Sequence, residues 1–174
     1  MKKIKLYITA SLDGYIARPD GDLDWLLEFP KTDYGYKDFF GTVDTVIIGG
    51  RAYHEITCMD IIWQYKDKTT YVVTHHPLIE KENINYITEN VIEAISQLQN
   101  EGGKDIWLAG GGELISMLLN QDLIDEMIIT YLPIILGNGI PLFKKSLKES
   151  KWDLLESKGF ENGVFQVTYK AVIS

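Results

Sequence analysis

Asp105–Leu119 reads D-I-W-L-A-G-G-G-E-L-I-S-M-L-L, and its change of character halfway sets the fold class. Ile106, Trp107, Leu108 and Ala109 form an uncharged run, which suits a strand covered on both faces in a parallel sheet. Leu114, Ile115, Leu118 and Leu119 then fall on one stripe of a helix that carries Glu113 in its first turn. Between the two, Gly110, Gly111 and Gly112 have no Cβ, so the backbone is free to take positive φ and a ligand can approach the amides at the helix N-terminus. Such an end carries partial positive charge and suits a phosphate. The spacing is neither the six-residue dinucleotide fingerprint nor a P-loop. Taken alone, the glycines have two readings, a tight strand-to-helix turn or a phosphate cradle.

The same pattern occurs upstream. Val43–Ile48 is β-branched and runs into Gly49-Gly50-Arg51 before a helical turn through Ala52, Tyr53, His54 and Glu55. Arg51 is either a solvated surface residue or a fork of donors beside a second helix start, with a charge that persists near neutral pH. Thr69–Thr74 is a third β-rich run, closed by His75-His76-Pro77. Open α/β sheets collect ligands at the carboxyl ends of their parallel strands, so Gly50, Arg51, Thr74, His75 and the triple glycine should share one edge. The paired histidines point apart as neighbours in sequence and have no third ligand nearby, so no metal site is expected.

Outward from this centre, Ile4–Ala10 alternates as an opening strand, with Ile4, Leu6 and Ile8 on one side and Tyr7 on the other. It leads into a long loop with turn signals at Asp13-Gly14 and at Pro19–Asp22. Asp13 has two readings, a side chain bonding amides in its own turn or a carboxylate facing a ligand. A polar-aromatic helix is expected from about Thr32 to Phe40, where Tyr34, Tyr36, Phe39 and Phe40 serve either packing or a pocket wall. Ile84–Ile87 reads as a strand. Val91, Ile92, Ile95 and Leu98 make a helix face stopped by Gly102-Gly103. Met127–Leu132 is another strand, and Asn162-Gly163 between two alternating runs is a hairpin signal. The expected fold class is α/β: a mixed, mostly parallel sheet with helices on both faces and a C-terminal antiparallel hairpin.

The 174 residues suit one domain, 1–174, with 45% hydrophobic and 24% charged residues. A net charge of −8 argues against general affinity for nucleic acid or anionic membrane, so any phosphate is held locally. Cys58 is the single cysteine, which excludes an internal disulfide and makes the reducing cytoplasm the default location. No stretch has the length or character of a secretory leader or a membrane span.

Six stretches in order carry a resemblance: Ser11-Leu12-Asp13-Gly14 with Ile16-Ala17; Gly21-Asp22-Leu23-Asp24-Trp25; Gly49-Gly50-Arg51; Gly110-Gly111-Gly112; Leu123–Glu126; and Pro133 with Leu136–Gly139 and Pro141–Phe143. Together they resemble the dihydrofolate-reductase-like reductase domain that ends the bifunctional deaminase-reductase of riboflavin biosynthesis, and more closely the short stand-alone members of that family. The resemblance implies a three-layer α/β/α fold, NADPH as hydride donor, a small heterocyclic substrate and a homodimer. Position by position it implies Gly50 and Arg51 near the adenosine phosphates, and Thr74 and His75 at the 2′-phosphate. It implies Gly110, Gly111, Gly112, Glu113 and Leu114 around the pyrophosphate, and Ala10, Ile16 and Ala17 along the nicotinamide. Ser11 and Asp13 would border the substrate, with Trp25 as a wall and Asp13 as the candidate catalytic group. Riboflavin-pathway reductases usually have a glutamate just ahead of the paired glycines, where this chain has Ala109. The alternative is a non-catalytic nucleotide-binding module with a regulatory or interaction role.

Overall fold

The computed structural model describes residues 1–29, 32–58, 65–78 and 81–173. Its main sheet is built from β1 (Ile4–Ser11), β3 (Val43–Gly49), β4 (Thr69–Val73), β5 (Ile84–Ile87), β6 (Asp105–Gly110), β7 (Glu126–Leu132), β9 (Trp152–Gly159) and β10 (Phe165–Ala171). These eight strands stand in the order β5-β4-β3-β6-β1-β7-β10-β9. The first six are parallel, whereas β10 runs antiparallel to both β7 and β9. Two short strands, β2 (Tyr15–Ala17) and β8 (Ile140–Pro141), pair with each other and tie the loop after β1 to the loop after β7. The expected mixed sheet and closing hairpin are both present.

Helices α1 (Tyr36–Gly41) and α2 (Gly50–Cys58) cover one face, and α3 (Val91–Asn100) and α4 (Gly112–Asn120) the other. The alternation of strand side chains assigns the faces. Ile4 and Leu6 of β1 lie beside Ile106 and Leu108 of β6, and all four pack with Ile95, Leu98, Ile115 and Leu118 of α3 and α4. Tyr7 and Trp107 point the other way, toward Phe39 of α1. Burying each such Leu or Ile contributes roughly 1.5–3 kcal/mol, which holds both helix layers against the sheet.

The helix expected from Thr32 begins only at Tyr36, because Gly35 stands just ahead of it at φ 84, a left-handed conformation that interrupts a helix. Trp25 lies in a 3-10 turn over Asp24–Glu28. The two ends of the sheet differ in chemistry. At the amino end, polar side chains close the edge: Lys2 Nζ donates to Asp44 Oδ1 at 2.9 Å, Lys5 pairs with Asp105 at 2.9 Å, and Ile4 N donates to the Asp125 carboxylate at 2.8 Å. The carboxyl end of the central strands closes instead on glycine backbone.

Candidate active site

β3 and β6 are neighbours, yet the chain leaves β3 into α2 on one face and β6 into α4 on the opposite face. Such a reversal opens a crevice above the strand ends. A cleft of about 840 Å³ lies there, lined from both faces of the sheet, at the upper end of the usual range for small-molecule sites. One limb runs along the glycines and the start of α4, the other between Tyr7, Tyr36, Tyr65 and Trp107.

Close backbone approach explains the glycine limb. Gly111 stands at φ 100 and ψ 106 ahead of α4, with no side-chain cap on that helix. A Cβ on Gly111 would lie 3.2 Å from Gly49 Cα, and one on Gly49 would lie 3.4 Å from Gly111 Cα. Gly50 faces Thr74, whose Cβ and Oγ1 would be 2.7 and 2.8 Å from an added Cβ. Gly112 is similarly confined by Ile140. Side chains at these positions would fill the cradle, and the first-turn amides of α4 face outward as donors.

The expected residues around that cradle mostly converge. Gly50, Arg51, Thr74, His75, Gly110, Gly111, Gly112, Glu113, Leu114, Ile16 and Ala17 all line the one cleft. Arg51 is exposed, lies against Gly21 and donates from Nη2 to Pro19 O at 3.3 Å. Among the described residues no carboxylate pairs with Arg51, so its charge is available to an anion. Glu113, by contrast, is held by Lys144. Thr74 Oγ1 accepts from the His76 amide at 3.2 Å, which fixes the turn after β4.

Four expected residues lie outside the cleft. The Asp13 carboxylate accepts from Ser11 Oγ at 2.6 Å, Gly137 N at 2.7 Å and Leu136 N at 3.1 Å. Desolvation opposes ionisation of Asp13, but these hydrogen bonds outweigh it and hold its carboxyl below the usual range. Asp13 therefore fits neither reading as stated: its carboxylate bonds amides of a distant loop, stapling the loop after β1 to the loop after β7, and it does not line the cleft. Ser11 is buried and also accepts from Tyr15 N at 3.0 Å, so its hydroxyl serves the same staple. Trp25 is fully buried against Leu132 and Val164 and is a core residue rather than a wall of the site. Ala10 points into the α3/α4 core. Among the described residues no group of three His, Cys, Asp or Glu side chains is placed to hold a metal ion, and no helix is long and apolar enough to cross a membrane.

Of the aromatic limb, sequence reading offered only Tyr36, as a packing ring or a pocket wall, and it missed Tyr7, Tyr65 and Trp107 as lining residues. Tyr7 stacks on Phe39 at 4.5 Å between centroids, and the Trp107 indole meets Tyr36 at 5.7 Å and Tyr65 at 4.9 Å edge-on. The phase of β1 already put Tyr7 opposite Ile4 and Leu6, but nothing local showed that Trp107 and Tyr36 would meet it. Burial pushes the hydroxyl pKa of Tyr7, Tyr36 and Tyr65 upward, so all three stay neutral.

Comparison with known proteins agrees with this geometry. The sequence profile described as RibD C-terminal domain matches residues 43–166. The uncharacterized protein YwjB of Bacillus subtilis is 44% identical over 165 residues, covering 94% of this chain and 95% of its own. A structure described as a riboflavin-biosynthesis protein of Shewanella sp. PV-4 superposes with a TM-score of 0.88 at 29% identity, covering 98% of this chain and 99% of that one. Dihydrofolate reductase of Enterococcus faecalis, solved with NADP(H), shares the fold at a TM-score of 0.69 and 16% identity, over 97% and 96% of the two chains. The chain belongs to the family of the RibD C-terminal domain.

Proposed function

We propose that the chain is an NADPH-dependent reductase of a small heterocyclic substrate. The observation that carries this reading is the single two-limbed cleft: a glycine cradle and helix start suited to phosphates in one limb, continuous with an aromatic limb suited to a flat ring in the other. The fit to a dinucleotide is steric as well as electrostatic. Cβ atoms at positions 49, 50, 111 and 112 would all crowd the cradle, and Arg51 adds a positive charge to the lining of the same cleft. Thr74 meets Gly50, His75 and Arg51 line the same cleft, and the three would hold a 2′-phosphate. Ile16 and Ala17 would flank the nicotinamide.

When bound, NADPH supplies a hydride to an electrophilic carbon of the substrate. The protein's own task is to orient the two rings, exclude water and let a proton reach the neighbouring heteroatom. Burial keeps the Tyr36 and Tyr65 hydroxyls neutral, so they serve as hydrogen-bonding groups in the aromatic limb rather than as acids, and the proton itself comes from solvent. Within the same reading the protein works as a homodimer in the cytoplasm. The outermost strand β9 bears exposed Leu154 and Leu155 beside its unpaired edge, a surface of the kind that subunits cover.

The test is a titration of wild type and Arg51→Ala with NADPH and NADH, followed by absorbance of NADPH with candidate acceptors. Arg51→Ala is expected to weaken NADPH by about tenfold or more and NADH far less. Equal loss for both would remove the 2′-phosphate role. One observation favours a second reading, a nucleotide-binding module without catalysis: the carboxylate expected to serve the reaction is committed to joining two loops. That reading requires NADPH to stabilise the fold while no acceptor is reduced.

A further inference from the structure

The aromatic limb has a charge pattern unlike that of the glycine limb. Its centre is the Trp107 indole, fixed by donation from Nε1 to Tyr7 O at 3.1 Å. Around it stand Tyr7, with its hydroxyl bonded to Tyr34 O at 3.3 Å and to Gln166 Nε2 at 3.4 Å, and the hydrogen-bonded hydroxyl pair of Tyr36 and Tyr65. Gln166 is itself held by Thr130 Oγ1 at 2.8 Å, so the groups that hydrogen-bond behind the rings are amide and hydroxyl, and the charge that acts on Tyr7 is that of the Asp33 carboxylate, an anion.

The cations are elsewhere. Among the described lining residues Arg51 stands at the start of α2 and Lys144 is paired to Glu113 at the start of α4. Lys68 lies near the aromatic cluster, but its Nζ sits 4.2 Å over the Phe40 ring and donates to Val43 O at 2.7 Å. Lys68 is not among the lining residues of the cleft. A phosphate monoester placed among these rings would leave water for the negative faces of aromatic systems with no compensating cation among the described lining residues of this limb. A flat ring with amide-like donors and acceptors would keep its hydrogen bonds to the tyrosine hydroxyls and gain stacking area.

We propose that the aromatic limb formed by Tyr7, Tyr36, Tyr65 and Trp107 is a subsite for a planar, uncharged heterocycle that carries no phosphate. This rests on the reductase reading in assigning the other limb to the cofactor. It deepens that reading by setting the substrate apart from phosphorylated pyrimidine intermediates.

The experiment is calorimetric titration of the chain saturated with NADP⁺. Pterin and lumichrome serve as uncharged rings; uridine 5′-phosphate and riboflavin 5′-phosphate serve as phosphorylated ones. At least one uncharged ring is expected to bind about tenfold or more tighter than either phosphorylated ring. Tyr36→Ala and Tyr65→Leu are each expected to weaken that ring by about tenfold while NADP⁺ affinity stays within about twofold. The two variants remove different sides of the hydroxyl pair, so a folding failure in one leaves the other to decide.

Phosphorylated rings binding as tightly as uncharged ones would overturn the proposal, as would a folded variant that retains full ring affinity. Failure of both uncharged rings to bind a chain that does bind NADP⁺ overturns the subsite and leaves the cofactor reading standing. Failure of NADP⁺ to bind strikes the cofactor reading instead, and the ring titrations on the free chain then decide the subsite alone.

Discussion

Replacing Gly111 by alanine tests the crevice at its narrowest point. Gly111 has φ 100 and ψ 106, a conformation that costs an L-residue about 1–3 kcal/mol. The new methyl would also lie 3.2 Å from Gly49 Cα and 3.3 Å from Gly49 N. Those atoms are backbone at the end of a central strand and have no rotamer to yield with, so overpacking adds about 1–3 kcal/mol. One shift of the chain relieves part of both, which gives a combined loss of about 2–4 kcal/mol. For a chain of this length that lowers the midpoint of thermal unfolding by roughly 5–15 °C. The assay is paired urea and thermal melts with Gly102→Ala as control, since a Cβ at Gly102 meets open space and should change stability by no more than about 0.5 kcal/mol. NADP⁺ affinity should fall in parallel by about tenfold or more, because the displaced amides belong to the cradle. A Gly111→Ala protein within about 1 kcal/mol of the parent, with unaltered NADP⁺ affinity, would falsify both the packing argument and the assignment of this limb.

Two further substitutions address residues that the structure moved out of the site. Asp13→Asn should cost about 1–2 kcal/mol near neutral pH, because a carboxylate accepting two backbone amides becomes a neutral acceptor, while turnover persists in the folded fraction. Since the folded carboxyl titrates below its ordinary value, its contribution is complete above the unfolded pKa near 4 and fades as pH falls through the lower folded value. The gap between parent and variant must therefore close in acid; a constant gap, or abolished turnover without loss of stability, would return Asp13 to the chemistry. Trp25 is fully buried and its Nε1 has no hydrogen-bond partner among the described residues, so Trp25→Phe gives up packing but no hydrogen bond to them. Denaturant melts should show a loss of about 1–2 kcal/mol for Trp25→Phe against about 3–5 kcal/mol for Trp25→Ala. Equal losses would mean that the indole nitrogen does have a partner.

Local chemistry made much of the fold legible. Ile106–Ala109 followed by three glycines and a helical stripe could be read as strand, turn and helix without knowledge of the rest. Asn162-Gly163 announced the hairpin, and Gly163 does take a positive φ of 84. The glycine edge was legible for the same reason, since each of its parts is a strand end whose direction in a parallel sheet fixes where it emerges. The helix start near Tyr36 was misplaced because Gly35 breaks it in a stretch where polar and aromatic residues suited either state.

The sequence by itself determined the α/β class, the closing hairpin and the rim of Gly50, Arg51, Thr74 and Gly110–Gly112, because backbone propensity, side-chain period and missing Cβ atoms act within a few residues. Only the tertiary structure decided what Asp13, Trp25 and Trp107 are for. The partners of Asp13 lie 123 and 124 residues away at Leu136 and Gly137. Trp25 meets Leu132 and Val164, and Trp107 meets Tyr7 and Tyr36 across β1 and α1. A carboxylate or an indole has the same intrinsic chemistry in a turn, a core or a ligand cleft. Burial and the distant groups it meets select the role, and those are set by how the sheet closes.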